Sequence, residues 1–380
     1  SLVTEVANLL GWGDTLTSFM SFEVDGDARV PFPVPCSVKH ALTDYCSLHD
    51  FPCLQLIDAL AQTQYATDAL QQLVQNPDLV SYLSKKGHFD HRDFLRTFLS
   101  KVDPHEPIDL SIFFAYVAPQ RARPFTISSS PLASKKSLSI TVSMNRRSFD
   151  PNTFLSDMNS SYESVFKTAP QLKDSLSSMV RSGAFTGMKV GLASQHLCQR
   201  LKLGELLHGT FEPASSLKYD IEKPSIFIAA GAGIAPFRAI MQDIACRGVR
   251  NTNSHLFFGV QNESVDFLYK DELLSSVQPN IPSMRNVGPV RPLSSISMAF
   301  SRPDDAKTTQ NELAKGKYVQ DVCREKKKEI RLLWENEANI YICGSTAMVK
   351  GVFEVLEKDI LEEAVQPHRA SGRILAEMWG

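Results

Sequence analysis

The sequence predicts a chain of class α/β plus β. An antiparallel β-barrel, short of its opening strands, carries an inserted helical subdomain, and a doubly wound parallel sheet follows. Three observations predict this. Residues 37–100 place apolar side chains at helical spacing; residues 101–220 hold short β-branched and aromatic runs; from Pro224 strands and helices alternate. The 380 residues suffice for two domains, each with its own core. The expected boundaries are 1–36 and 101–220 for the barrel, with a Ser-rich insertion at 145–188, then 37–100 for the helical subdomain and 221–380 for the parallel sheet.

Residues 1–36 are short apolar segments that end in PFPVP, where three prolines in five residues exclude helix and central strand. In the helical part, Leu54, Leu56, Ile57, Leu60 and Ala61 form one apolar stripe, continued by Leu70, Leu73 and Val74, with breaks at Asp78 and His91–Asp93. Strands are expected at Leu110–Val117, Pro124–Ser128, Leu138–Met144, Lys189–Leu192 and Glu205–Phe211. The polar stretch between Asn145 and Met188 reads as a surface insertion with one or two helices. Beyond Pro224 the expected order is strand Ile226–Ile228, helix Pro236–Cys246 closed by Gly248, strand His255–Val260, helix Asp266–Leu274, strand Ile296–Phe300, helix Tyr318–Trp334, strand Asn339–Cys343 and helix Met348–Ile360. A ligand then belongs at the carboxyl ends of these strands.

Charge is nearly balanced, with 40 Lys+Arg against 42 Asp+Glu, so no global field favours nucleic acid or a membrane surface. The seven cysteines form no CxxC pair, which argues against a zinc site and fits a reducing, cytoplasmic compartment. No metal site is expected, and no apolar run approaches the roughly 18 residues of a membrane span.

The chemistry gathers at a few motifs. In IFIAAGAGIAPFR (Ile226–Arg238) a buried strand feeds a glycine turn and a helix start. Gly231, Ala232 and Gly233 permit a tight turn with room for a phosphate, the following amides point at that anion, and Pro236 suits a first helical turn. IYICGS (Ile340–Ser345), RPFTISSSP (Arg123–Pro131) and the terminal EMWG join it. Together these resemble the diflavin reductases, in particular their ferredoxin-NADP reductase-like half; that family includes cytochrome P-450 reductase, sulfite reductase flavoprotein and self-sufficient monooxygenase fusions.

The resemblance implies two cofactors, FAD and NADPH, with FMN on an upstream domain absent from this chain. For FAD it implies Arg123 on the pyrophosphate, Phe125 against the isoalloxazine and Thr126 near its N5. A second pyrophosphate grip is implied at Gly191, Leu192, Ala193 and Ser194, with Ser194 as N-cap. Trp379, penultimate in the chain, would cover the flavin face that the nicotinamide must reach. For NADPH it implies Gly231, Ala232, Gly233 and Pro236 at the diphosphate, Ser301 and Arg302 at the 2′-phosphate, Tyr318 on adenine or phosphate, and Gln320 toward adenosine. Gly316 stands where the family has a basic residue, so that charge falls to Lys315 or Lys317. Cys343 would lie beside nicotinamide C4, with the Thr126 hydroxyl and the Glu377 carboxylate completing the catalytic group and Trp379 moving aside.

The implied activity is hydride transfer from NADPH to FAD, with electrons leaving singly to an FMN domain or haem monooxygenase. The implied setting is the cytoplasm, or the cytosolic face of an endoplasmic reticulum anchor lying outside this chain. Two departures favour an alternative, an inactive or incomplete module that serves as a binding domain: Ala232 replaces the family's Thr, and Gln261 replaces its Arg. The chain begins without methionine, and nothing before Trp12 matches the family's Tyr-x-x-Gly-Asp segment, so the expectation is a fragment of a longer protein.

Overall fold

The computed structural model describes residues 1–21, 32–144, 146–182, 188–213, 217–250, 253–278, 288–302 and 317–379. The chain forms two compact units: Ser1–Arg123 with Met144–Arg200, and Pro124–Ser143 with Leu201–Gly380.

The first unit is mainly helical. Helix α1 (Leu2–Leu9) precedes a two-residue antiparallel pair, β1 (Phe19–Met20) with β2 (Cys36–Ser37), and a short turn, α2 (Val38–His40). Helices α3 (Leu54–Ala61), α4 (Asp68–Val74), α5 (Pro77–Lys86), α6 (His91–Phe98) and α7 (Leu110–Tyr116) follow. The expected breaks fall where helices start: Pro77 opens α5, and Asp90 and Asp93 form a capping box for α6. Strand β3 (Arg146–Ser148) pairs antiparallel with β4 (Met188–Val190), and between them lie α8 (Pro151–Ser161), α9 (Glu163–Thr168) and α10 (Pro170–Ser182). The unit continues through α11 (Leu192–Gln195).

Several expectations change here. Leu110–Val117 is a helix, because the Asp109 carboxylate accepts the Ser111 amide at 2.7 Å and the helix packs Phe113 and Phe114 around Trp12. A run that is apolar all round reads alike as strand or helix. The Ser-rich stretch is no surface insertion: Met158, Leu172 and Leu176 are fully buried in the same core as α4 and α6. Exposed serines such as Ser156, Ser160, Ser161 and Ser164 hide the helical period of its apolar residues.

The second unit contains a five-stranded, wholly parallel sheet of strands β5 (Ser225–Ala230), β6 (Ser254–Val260), β7 (Ser295–Phe300), β8 (Asn339–Ser345) and β9 (Ile374–Trp379). Their order is β7-β6-β5-β8-β9. Helices α12 (Ala235–Arg247), α13 (Lys270–Ser275), α14 (Val319–Glu325), α15 (Lys327–Glu335), α16 (Thr346–Val355) and α17 (Val365–Ala370) connect them. One core joins Phe227, Ala229, Phe258, Tyr341 and Cys343 to Phe237 and Met241 of α12. The other joins Ile226, Ile228, Ile340 and Ile342 to α14, α15 and α16. Burial on both faces explains why these strands read as unbroken apolar runs.

The βαβ rhythm holds with local changes. Gly248 ends α12 in the left-handed region, φ 71°. The helix expected at Asp266–Leu274 begins only at Lys270, because Tyr269 is itself left-handed at φ 57°. The single helix expected at Tyr318–Trp334 is two, broken at Lys326 (φ −95°, ψ 22°). The expected strand Glu205–Phe211 has no regular structure, and Leu206 and Phe211 are 88% and 77% exposed. Pro124–Ser128 and Leu138–Met144 meet in one antiparallel bridge, Ile127 with Ile140. Among the described residues, antiparallel pairing is confined to β1–β2, β3–β4 and isolated bridges.

One buried group makes the helical unit sensitive to acid. His91 is 1% exposed; its Nδ1 lies 2.8 Å from the Asp50 carbonyl oxygen, and its Nε2 has no hydrogen-bond partner. Burial pushes the imidazole down to about 4, against the opposing pull of the Asp50 carbonyl and nearby carboxylates. The folded state therefore holds fewer protons than the unfolded chain, so stability is full above the unfolded value and falls as acid titrates the chain. Between about pH 7 and about pH 5 the loss from this group should be about 2 kcal/mol. Urea unfolding at the two pH values should show it, and His91→Gln should remove most of the difference; an equal loss in the variant would assign it elsewhere.

Candidate active site

The parallel sheet changes direction between β5 and β8, since connections leave β5 toward β6 and later return to β8 on its other side. A crevice at the carboxyl ends of such neighbours is where an α/β sheet takes a ligand. The turn Gly231–Ile234 leaves β5 there, and Cys343, Gly344 and Ser345 end β8 beside it.

The two glycines of the turn serve different ends. Gly231 has φ 53°, and a Cβ there would meet nothing within 4 Å, so its open side leaves the turn accessible. Gly233 faces the end of β8. Its missing Cβ would stand 2.1 Å from the Cys343 carbonyl oxygen, so Gly233 is required by the close approach of the turn to β8. Ala232 lies between them, half-buried, and Pro236 sits in the first turn of α12.

Three predicted residues come together at the end of β8 and β9. Cys343 pairs in register with Glu377, and the Thr126 hydroxyl donates to Glu377 Oε1 at 2.5 Å. Cys343 is fully buried; burial pushes its thiol far above the ordinary cysteine range, and the neighbouring Glu377 carboxylate adds to the rise. It is therefore a neutral thiol at physiological pH, a weak donor and not a nucleophile. Trp379, two residues beyond Glu377 on the same face of β9, is 39% exposed and pairs in register with Ser345. The Thr346 hydroxyl reaches the Trp379 carbonyl oxygen at 3.4 Å. Phe125, next to Thr126, is half-buried.

The cationic group lies past β6 and β7. The Ser301 and Arg302 amides donate to the Val260 and Gln261 carbonyls at 3.0 and 2.7 Å, and Arg302 Nη1 donates to the Gln261 side-chain oxygen at 3.2 Å. Gln261, read from the sequence as a missing guanidinium, thus holds the one that remains. Lys317 pairs with Glu325, and its amide donates to the Phe300 carbonyl at 3.0 Å. Tyr318 is 62% exposed at the start of α14, its amide accepted by Asp321 at 2.9 Å. Gln320 packs toward Gly351 of α16. Lys315 lies outside the described residues.

The remaining predicted residues belong to the helical unit. Arg123 is exposed and donates to the Arg121 carbonyl at 2.8 Å. Gly191, not Ser194, is the N-cap of α11; Leu192 and Ala193 open the helix, and buried Ser194 turns its hydroxyl back to the Gly191 carbonyl at 3.1 Å. The motifs assign no role to Arg238, Gln242 and Asp243 on α12 or to Tyr269, which bind the segment carrying Thr126, nor to Glu272, which holds Arg238 and Gln242.

The Oxidoreductase NAD-binding domain family matches residues 227–354. Across 380 aligned residues the chain is 27% identical to a bifunctional cytochrome P450/NADPH–P450 reductase of Fusarium oxysporum, covering 95% of this chain and 29% of that protein. It is 25% identical to an NADPH–cytochrome P450 reductase of Aspergillus oryzae, covering 94% of this chain and 50% of that one. It is also 25% identical to an NADPH–cytochrome P450 reductase of Emericella nidulans, covering 99% of this chain and 53% of that one. The chain is thus similar to NADPH–cytochrome P450 reductases over nearly its whole length. It spans about half the length, or less, of these relatives. Among the described residues no helix is long and apolar enough to cross a membrane.

The turn's geometry carries a stability prediction. Gly233→Ala forces a backbone clash at Cys343 and should cost at least about 3 kcal/mol. Gly231→Ala meets only the backbone penalty of its positive φ, about 1–2 kcal/mol. Thermal unfolding of the two variants should rank them in that order, and equal losses would contradict the close approach.

Proposed function

We propose that this chain is the FAD- and NADPH-binding part of a diflavin reductase, taking hydride from NADPH and passing electrons singly to an FMN domain or a haem monooxygenase. The observation that carries this reading is the grouping of Thr126, Cys343 and Glu377 at the carboxyl end of β8 and β9. When bound, NADPH supplies the hydride and FAD receives it. The residues present fit these groups: the open side of Gly231 admits a diphosphate, and Ser301, Arg302 and Lys317 offer the hydroxyl and cationic donors that a 2′-phosphate needs.

The protein's part is positioning. Glu377 accepts a hydrogen bond from the Thr126 hydroxyl and stands beside a thiol that stays protonated, so the site presents neutral donors around one carboxylate. Trp379 would cover the reacting face and exclude water until the nicotinamide displaces it. Phe125 would supply a stacking face, and Arg123 with Gly191, Leu192, Ala193 and Ser194 would hold the FAD diphosphate, an assignment that rests on their motifs. Tyr318 and Gln320 would contact the adenosine, and Ala232 and Pro236 would border the diphosphate. The barrel architecture and the cytosolic setting belong to the same reading and rest on the family resemblance. The named relatives favour an active reductase over an inactive binding module.

A visible spectrum of the purified protein, bleached on adding NADPH, is the direct test; a colourless protein that cannot be loaded with FAD would refute the reading. Cys343→Ala should slow flavin reduction at least about tenfold, or 1.4 kcal/mol, while leaving FAD content unchanged. A wild-type rate in stopped flow would remove Cys343 from the reacting centre. Arg302→Ala should raise the KM for NADPH about 10- to 150-fold, as expected for loss of a charge-assisted contact. Equal use of NADH and NADPH by the unmutated protein would contradict the assignment.

A further inference from the structure

We infer that Arg238 is the positioning residue for Thr126: from α12 it clasps the segment 124–143 and so fixes the hydroxyl that meets Glu377. The inference rests on the reading of Thr126 given above and extends it to Arg238, the last residue of the glycine-turn motif, which the motif itself leaves without a role.

Four contacts converge on this one side chain. Arg238 Nη1 donates to the Ser128 carbonyl at 2.7 Å and to the Ser139 hydroxyl at 3.1 Å; Nε donates to Glu272 at 2.8 Å; and the guanidinium carbon lies 4.4 Å from the Tyr269 ring centroid. Its side chain is 16% exposed, so these charge-assisted bonds are sheltered from solvent. Ser128 is fully buried, two residues after Thr126, and its amide donates to the Ser139 carbonyl at 2.7 Å. One guanidinium therefore grips both arms of the segment at its only bridge, Ile127 with Ile140.

The neighbours of Arg238 reinforce the clasp. Asp243 accepts the Ser130 hydroxyl at 3.0 Å, and Gln242 accepts the Ser130 amide at 3.2 Å while donating to Glu272 at 3.1 Å. Tyr269 bonds Thr141 through its hydroxyl at 2.8 Å, and it does so from a left-handed backbone that a bulky residue adopts only when its surroundings impose it. Without regular sheet pairing, the segment has few backbone bonds of its own. Arg238 supplies what a strand partner would otherwise supply. A small shift at Ser128 passes directly to Thr126, and hydride transfer is steep in such displacements.

The test combines amide exchange and kinetics on Arg238→Met, which keeps the aliphatic stem, and on Arg238→Lys, which can restore one charged bond to Ser128. In the protein as purified, Arg238→Met should speed exchange at residues 127–140 at least about tenfold, with β5 and β8 unchanged, and Arg238→Lys should recover part of the protection. If Arg238→Met also exposes β5 and β8, Ser139→Ala replaces it, removing one acceptor alone, and should loosen the same residues more mildly. In stopped flow, Arg238→Met should lower the rate of flavin reduction by NADPH at least about tenfold with little change in KM, and should add almost nothing to Thr126→Ala. Unchanged exchange at 127–140, or additive losses in the double variant, overturns the inference. A wild-type protein that NADPH does not reduce refutes the proposed function instead, and the exchange result then decides on Arg238 by itself.

Discussion

The site hangs on the contact between the Gly233 turn and the end of β8. A side chain at position 233 would collide with the Cys343 carbonyl, so the turn can lie against the strand only with glycine there. That approach sets where α12 begins and which side of the turn stays open at Gly231. It also seals Cys343 beneath the turn. With Phe237 and Met241 of α12 packed on Phe227 and Tyr341, the turn has little freedom to lift away. Diphosphate access, helix direction and thiol burial thus follow from one backbone packing constraint.

Charge at the site is arranged in two different ways. Around Cys343 it is held in a confined setting, where a buried neutral thiol and the Thr126 hydroxyl face a single carboxylate. Arg302 is exposed and half-buried Lys317 lies nearby, each already partnered, by Gln261 and Glu325. On the proposed function, an incoming phosphate would exchange with contacts already made there, a cheaper step than desolvating free cations. The first arrangement suits fixed geometry, and the second suits a ligand that must come and go.

The helical unit is stabilised independently of the sheet. Its core runs from Val6 of α1 through Phe94 and Phe98 of α6 to Leu176 of α10, with Trp12 locked between Phe113 and Phe114 and its indole N–H bonded to the Ile108 carbonyl at 2.6 Å. Residues read as a surface insertion thus complete the core. Each unit of this chain closes over its own apolar interior.

The sequence by itself determined the parallel sheet, the order of its first four strands after Pro224 and the glycine turn, and its motifs pointed to Thr126, Cys343 and Glu377 as a group; the fifth strand, which carries Glu377, appeared only in the structure. Each depends on local apolar runs, caps and glycines, or on motifs that survive at low identity. Tertiary structure alone decided what the segments between them become. Leu110–Val117 turned helical around Trp12, Glu205–Phe211 found no partner strand, and the Ser-rich stretch folded inward. It alone also revealed Arg238 and the second duty of Gln261. The physical reason is distance along the chain: Thr126 and Glu377 are 251 residues apart, and Arg238 and Ser128 are 110 apart. A hydrogen bond of that span leaves no periodicity in either local sequence, and it exists only once the sheet has brought both ends to the same edge.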